Sequence, residues 1–221
     1  MSKAWRSLAH ELLPAIVAGA WATALFAVGV VLATMYAAPI QDVVTAHGAL
    51  GVLVFFFTSV VAVLLPLLSN LLLVPFAVLA WGPWVTAGLL LAGWIAGAGL
   101  SFALGRHARA FVLRQFPGVQ RYGDIDRLID PRHRFGSLVL LRMTFPVDVL
   151  SYALGMFSRS TTLAENVMST AVGAAPFAVL FALIPTLSTA AQVAVIGGSV
   201  LAFVAYVPWV LRRSSGTTRD G

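Results

Sequence analysis

The sequence predicts an all-α membrane protein: transmembrane helices plus two opposed re-entrant helical hairpins that form an inverted repeat. Three observations lead there. The 221 residues are 60% hydrophobic and only 10% charged. No Asp, Glu, Lys or Arg falls between Glu11 and Asp42, or between Asp42 and Arg106, and a spanning helix needs only about 20 apolar residues. Prolines interrupt the apolar blocks in each half, most pointedly at Pro66 and Pro146.

The elements follow in order. The first apolar run, Leu12 to Tyr36, follows Lys3, Arg6 and Glu11. It is longer than the roughly 7 to 15 residues of a signal-peptide core, so it reads as a retained membrane anchor. The stretch Ala37 to Gly48 carries Asp42 and His47 but no Lys or Arg, which places it as an external loop by the positive-inside rule. The block Ala49 to Gly105 is broken by Pro66, Ser69, Asn70, Pro75 and the turn dipeptide Gly82-Pro83. Its first half is expected to dip into the membrane and return, and Trp84 to Gly105 to cross inward.

Arg106 to Arg134 holds seven arginines against three aspartates, which marks it as cytoplasmic. Within it, His107 to Phe116 fits a short interfacial helix, and Asp124 to Ile129 a further helical turn. Phe135 to Phe157 then enters from the cytoplasmic side and returns at Ser158 to Ser160. Thr162 and Glu165 have capping-box spacing at the start of an outward crossing, Thr162 to Leu187, that contains Gly173, Pro176 and Pro185. A last run, Thr189 to Leu211, crosses back to Arg212 and Arg213. The chain thus divides into 1–48 (anchor and external loop), 49–187 (two hairpins around the Arg-rich segment 106–134) and 188–221 (last helix and tail), with both termini cytoplasmic. A hairpin and crossing from outside, followed by a hairpin and crossing from inside, is an inverted repeat. Such paired interruptions point to a midplane substrate site in secondary transporters.

The chemistry concentrates at Arg142, Pro146 and Asp148. Ionisable residues in lipid are costly and usually face a polar cavity on a transport path. Residues six apart on an unbroken helix point about 120° away from each other, so Arg142 and Asp148 converge only across a break. Pro146 supplies one, because it lacks an amide donor and its ring collides with the carbonyl of Arg142. Irregular backbone at that depth needs protein or a water-filled cavity over it.

Other classes are excluded. Cysteine is absent, so there is neither a disulfide framework nor a thiolate metal site. The net charge of +6 flanks apolar segments, where it sets orientation and meets anionic lipid; no nucleic-acid motif is present. No GxSxG elbow, HExxH helix or acidic metal cluster occurs in an apolar segment, and the histidines at 10, 47, 107 and 133 are dispersed. The reading is therefore no enzyme, no metal and no cofactor.

Two runs carry a family resemblance. The first is Gly82-Pro83-Trp84 through Gly88, Gly93, Gly97, Gly99, Ser101-Phe102 and Leu104-Gly105-Arg106. The second is Leu141-Arg142, Phe145-Pro146-Val147-Asp148, Ser151 to Gly155 and Gly173-Ala174-Ala175-Pro176. Across roughly Ala49 to Leu187 their order and spacing resemble the DedA / SNARE-associated Golgi protein superfamily, the VTT-domain proteins, closer to the Golgi-yeast-type branch than to DedA proper. The resemblance implies two opposed re-entrant hairpins and lipid translocation, by a flippase of undecaprenyl phosphate or phospholipid or by a scramblase, in a bacterial plasma membrane. DedA proper has acidic residues in its first hairpin; this chain has Leu67, Ser69 and Asn70 near Pro66, so the residues for proton coupling there are missing.

The expected site is Arg142, whose guanidinium can grip a lipid phosphate in a bidentate fork, with Asp148 as its counter-charge and a proton or sodium acceptor. Pro146 and Pro66 break the hairpins; Ser69 and Asn70 either complete the cavity from the other side or satisfy the broken backbone, and Tyr152 either hydrogen-bonds into the cavity or sits at the membrane interface. The expected partners are membrane lipids, anionic lipid phosphate above all; a homo-oligomer is left open. The alternative from another class is a membrane structural or assembly factor in which Arg142 and Asp148 only neutralise each other.

Overall fold

The computed structural model describes residues 24–65, 70–115, 125–145, 147–188, 190–192, 194–195 and 197–198. Helix α1 spans Ala24–Met35. Helix α2 (Ala37–Leu64) follows after one turn residue, and a 3-10 turn at Asn70–Leu73 leads into α3 (Val74–Gln115). A second 3-10 turn at Ile125–Leu128 precedes α4 (Arg134–Thr144), α5 (Val147–Phe157) and α6 (Leu163–Leu183), which ends in a 3-10 turn at Ile184–Thr186. The described residues contain no strand.

Each break has a local cause. Leu65 and Phe145 are both extended (φ −117°, ψ 92° and φ −110°, ψ 148°), as residues preceding a proline are pushed to be; Pro66 and Pro146 themselves lie outside the described residues. Inside α3, Gly82 has φ 78° and ψ 168° just before Pro83, a conformation open almost only to glycine. α3 is therefore two helices, a short Val74–Trp81 segment and a long arm from Pro83. α6 begins with the expected capping box: Thr162 accepts from the Glu165 amide, and Glu165 from the Thr162 amide.

Two helical stretches, Asn70–Ala110 and Leu163–Thr186, are long and apolar enough to cross a membrane. The arm of α3 from Pro83 to Ala110 alone is on the order of 40 Å at 1.5 Å per residue, more than a hydrocarbon core of about 30 Å.

Small polar side chains share the interior with the apolar core, and large apolar ones face outward. Ser59, Thr86, Ser101, Ser151, Asn166, Ser169 and Thr170 are fully buried, whereas Leu50, Phe57, Leu140, Val149, Met168 and Val172 are each more than half exposed. In water such a surface would be a severe association liability; against lipid tails it costs nothing.

The register of the helices follows from close contacts. Gly51 lies against Trp81, Gly93 against Ser59 and Phe56, and Gly97 against Val63 and Val60, so α2 and the long arm of α3 run in the same direction. Asn166 reaches Ala98 while Trp94 meets Phe181, so α6 runs opposite to α3. α4 runs along α6 in the same sense, with Arg134 near Glu165 and Val139 and Arg142 against Gly173. α5 packs chiefly on α3 rather than on α4, so α4 and α5 are splayed over different partners. One apolar core joins Phe55, Val74, Leu90, Ala178 and Ala182; the other joins Phe102, Ile129, Leu138, Leu150 and Leu154.

Two expectations need correction. Residues 37–48, read as an external loop, are the start of α2; Pro39 stands in its first turn, where a missing amide costs no hydrogen bond, and the polar Asp42 and His47 had suggested a loop. The interfacial helix expected at His107 to Phe116 is the uninterrupted continuation of α3 to Gln115: Arg106 changes polarity without breaking the backbone. The predicted runs Leu12 to Thr23 and Leu201 to Leu211 lie outside the described residues.

Candidate functional site around Arg142

The break between α4 and α5 sets two charged residues at two helix ends. Arg142 occupies the last turn of α4 and Asp148 the first turn of α5, each with the sign that the local helix dipole favours. Arg142 is 2% exposed. Its Nη1 donates to the Val147 carbonyl at 2.7 Å, folding the side chain back across the break. Its Nη2 donates to Asn166 Oδ1 on α6. Nε is buried and, among the described residues, has no partner.

The acceptors are therefore neutral. Asp148 acts on the guanidinium electrostatically, yet among the described residues it forms no ion pair with it within 4.0 Å; the carboxylate is instead associated with the first backbone amides of α5, those of Asp148 and Val149. It is half-buried. A buried cation whose charge is held by two neutral oxygens, and whose Nε–H points at no acceptor, can take an anion's oxygen on its Nε edge without first giving up a carboxylate.

Asn166 is the residue that reading the sequence passed over. It is fully buried, takes the Arg142 donor on Oδ1, and gives its Nδ2 to the Ala98 carbonyl of α3 at 3.1 Å. Ser169 and Thr170 both donate to its own carbonyl. The signal was present: Asn166, Ser169 or Thr170, and Gly173 recur at helical spacing along one face of an apolar helix. Gly173 lets α4 come close, since a Cβ there would stand 2.6 Å from the Arg142 Cβ.

The other expected residues fall elsewhere. Tyr152 is half-buried and donates to the Leu64 carbonyl at 2.9 Å, closing the open end of α2. Asn70 is buried and donates to Ser59 Oγ at 2.7 Å, not to the arginine. Ser69, Pro66 and Pro146 lie outside the described residues.

The turn between α5 and α6 is held from three sides. Arg106 donates to the carbonyls of Gly155, Ser158 and Thr161 and stacks over Phe102 at 4.9 Å. Asp126 accepts from Ser158 Oγ at 2.5 Å, Ser160 Oγ at 3.0 Å and the Arg159 amide at 3.1 Å. Arg134 donates to the Ser160 carbonyl and to Glu165. Burial alone would raise the Asp126 carboxyl, but the bonds from Ser158, Arg159 and Ser160 and the charge of Arg134 outweigh it and hold it below its usual value.

A separate cavity of about 280 Å³ lies between α1, the short segment of α3 and the turn at 184–186, lined mainly by Val30, Ala33, Pro75, Val78, Leu79 and Pro185. None of the expected site residues lines it. Among the described residues no group of three or more His, Asp or Glu could hold a metal ion.

Comparison of the chain with protein families, with characterised proteins and with solved structures finds no match.

Proposed function

We propose that this protein is a lipid transporter, a flippase or scramblase, that moves a phosphate-bearing lipid such as undecaprenyl phosphate or a phospholipid across the membrane. The observation that carries the reading is the buried Arg142 guanidinium with an unpartnered Nε, held by neutral oxygens at a helix break. A guanidinium stays charged when desolvated and matches phosphate oxygens in a fork. Asp148, close by but unpaired with it, is the group through which a proton or sodium ion is coupled.

The architecture in this proposal is two re-entrant hairpins opposed across the bilayer. What supports it is the repetition of one order: a helix, a break before a proline, a short helix, a second break and a long apolar helix. In both halves the first helix packs along the long one in the same direction, at a glycine. On this reading the chain is a VTT-domain protein of a bacterial plasma membrane with both termini cytoplasmic.

The test is reconstitution into vesicles with a fluorescent polyprenyl phosphate or phospholipid and chemical quenching of the outer leaflet. Arg142→Ala is expected to slow translocation by about 100-fold, equivalent to about 2.7 kcal/mol of lost interaction, and Asp148→Asn to remove any response to a collapsed proton or sodium gradient. If the wild-type protein, folded, moves no lipid of any class, the transport reading fails and a structural or assembly role replaces it.

A further inference from the structure

Asn166 has a single allowed orientation. Arg142 can only donate and the Ala98 carbonyl can only accept, so the amide oxygen faces the guanidinium and the amide nitrogen faces α3, as observed. The residue is fully enclosed, so no water can replace either bond. It ties three helices together at one point: α6, which carries it, α4 through Arg142, and α3 through Ala98.

A carboxylate at this position would hold the guanidinium as firmly, but it would cancel the charge and face the Ala98 oxygen with a second oxygen. An apolar residue would keep the charge but leave Nη2 stranded. The amide does neither. We infer that Asn166 is a positioning residue that holds Arg142 cationic and aimed, so that its buried, unpartnered Nε–H is the donor left for the oxygen of an anionic phosphate headgroup once the helices part. The inference rests on the transport reading for its substrate.

Charged groups on the surrounding elements do not substitute for it. On α4, Arg134 is engaged by Ser160 and Glu165; on α5, Asp148 reaches Arg142 only through space; on α6, Glu165 is taken by the capping box; on α3, Arg106 is engaged by the Gly155 carbonyl at the end of α5 and by the Ser158 and Thr161 carbonyls of the α5–α6 turn.

The experiment compares wild type, Asn166→Asp and Asn166→Leu in lipid nanodiscs and vesicles, reading phosphatidic acid binding, its translocation and the thermal midpoint of unfolding at each pH. A protonated carboxyl has an oxygen acceptor for Arg142 and an O–H donor for Ala98, so it reproduces the amide. Asn166→Asp is therefore expected to bind about tenfold or more weakly than wild type at neutral pH and to recover toward it on acidification. Asn166→Leu is expected to be weak at every pH, and to cause no further loss when Arg142 is already replaced by Lys.

Losses that are equal in both variants, unchanged by pH and parallel to a lowered thermal midpoint would leave Asn166 a packing role and overturn the inference. So would wild-type binding and transport by Asn166→Asp at neutral pH, with the transport reading intact. A wild-type protein that neither binds phosphatidic acid nor moves lipid takes down both.

Discussion

The long helices α3 and α6 each receive a shorter helix at a glycine, and the two contacts are built alike. A Cβ on Gly93 would run into the Ser59 Cβ and stand 3.2 Å from the Phe56 oxygen; one on Gly173 would meet the Arg142 Cβ at 2.6 Å and the Val139 oxygen at 3.1 Å. The seats match, but what sits in them differs. Ser59 closes its bonding locally, donating to the Phe55 carbonyl and accepting from Asn70. Arg142 keeps one buried donor, Nε–H, without a partner among the described residues. The same backbone joint therefore carries a plain packing contact in one half and a buried charge in the other; the difference lies in the side chain and not in the helix crossing.

The largest expected effect breaks that comparison at its centre. Ser59→Ala should leave lipid translocation within about twofold of wild type while Arg142→Ala lowers it by about 100-fold, since only the second removes a charged donor. The next sharpens it. Gly93→Ala and Gly173→Ala should each cost about 1–3 kcal/mol in stability through overpacking, read from thermal unfolding in detergent, but only Gly173→Ala should also reduce flux by tenfold or more, because it displaces α4 and with it the guanidinium.

The breaks before the two long helices differ as well. The first relies on one residue: Gly82 is in a glycine-only conformation with open space around it, so Gly82→Ala should destabilise by about 1–3 kcal/mol from backbone strain alone. The second is a turn tied by Arg106, Asp126 and Arg134. Asp126→Asn is expected to have the smallest effect, about 1 kcal/mol, seen as faster amide hydrogen exchange at residues 158–161. The same loosening should follow acidification: the Asp126 carboxyl is held below its usual value of 3.8, so its contribution is complete above the unfolded value and is lost as pH falls through the lower, folded one.

Breaks were more legible in the sequence than continuities. Proline, Gly-Pro and the Thr162-Glu165 spacing act within a few residues, so the ends at Thr144, Gly82 and Thr162 follow from local sterics and capping. Charge misled at Asp42 and Arg106, because it marks where a chain meets water and says nothing of whether the helix stops there. Arg142 was visible as a costly group in an apolar run; its partners were not. Val147 accepts through its backbone, and Asn166 is 24 residues away, a separation that only the packing of α4 along α6 brings together. Asp148 was legible as a neighbour in charge but not as a group left outside the hydrogen-bonded set.

Many of the interior hydroxyls spend their protons on their own helix: Ser59 on Phe55, Thr86 on Gly82, Ser151 on Val147 and Thr170 on Asn166. Such rods can slide or tilt against one another without orphaning those groups. Among the described residues the ties from one rod to the next include Ser101 to Val63, Tyr152 to Leu64 and Asn166 to Ala98. A bundle assembled this way is held in register by a handful of rivets, and the rivet at Asn166 is the one that also grips a buried cation.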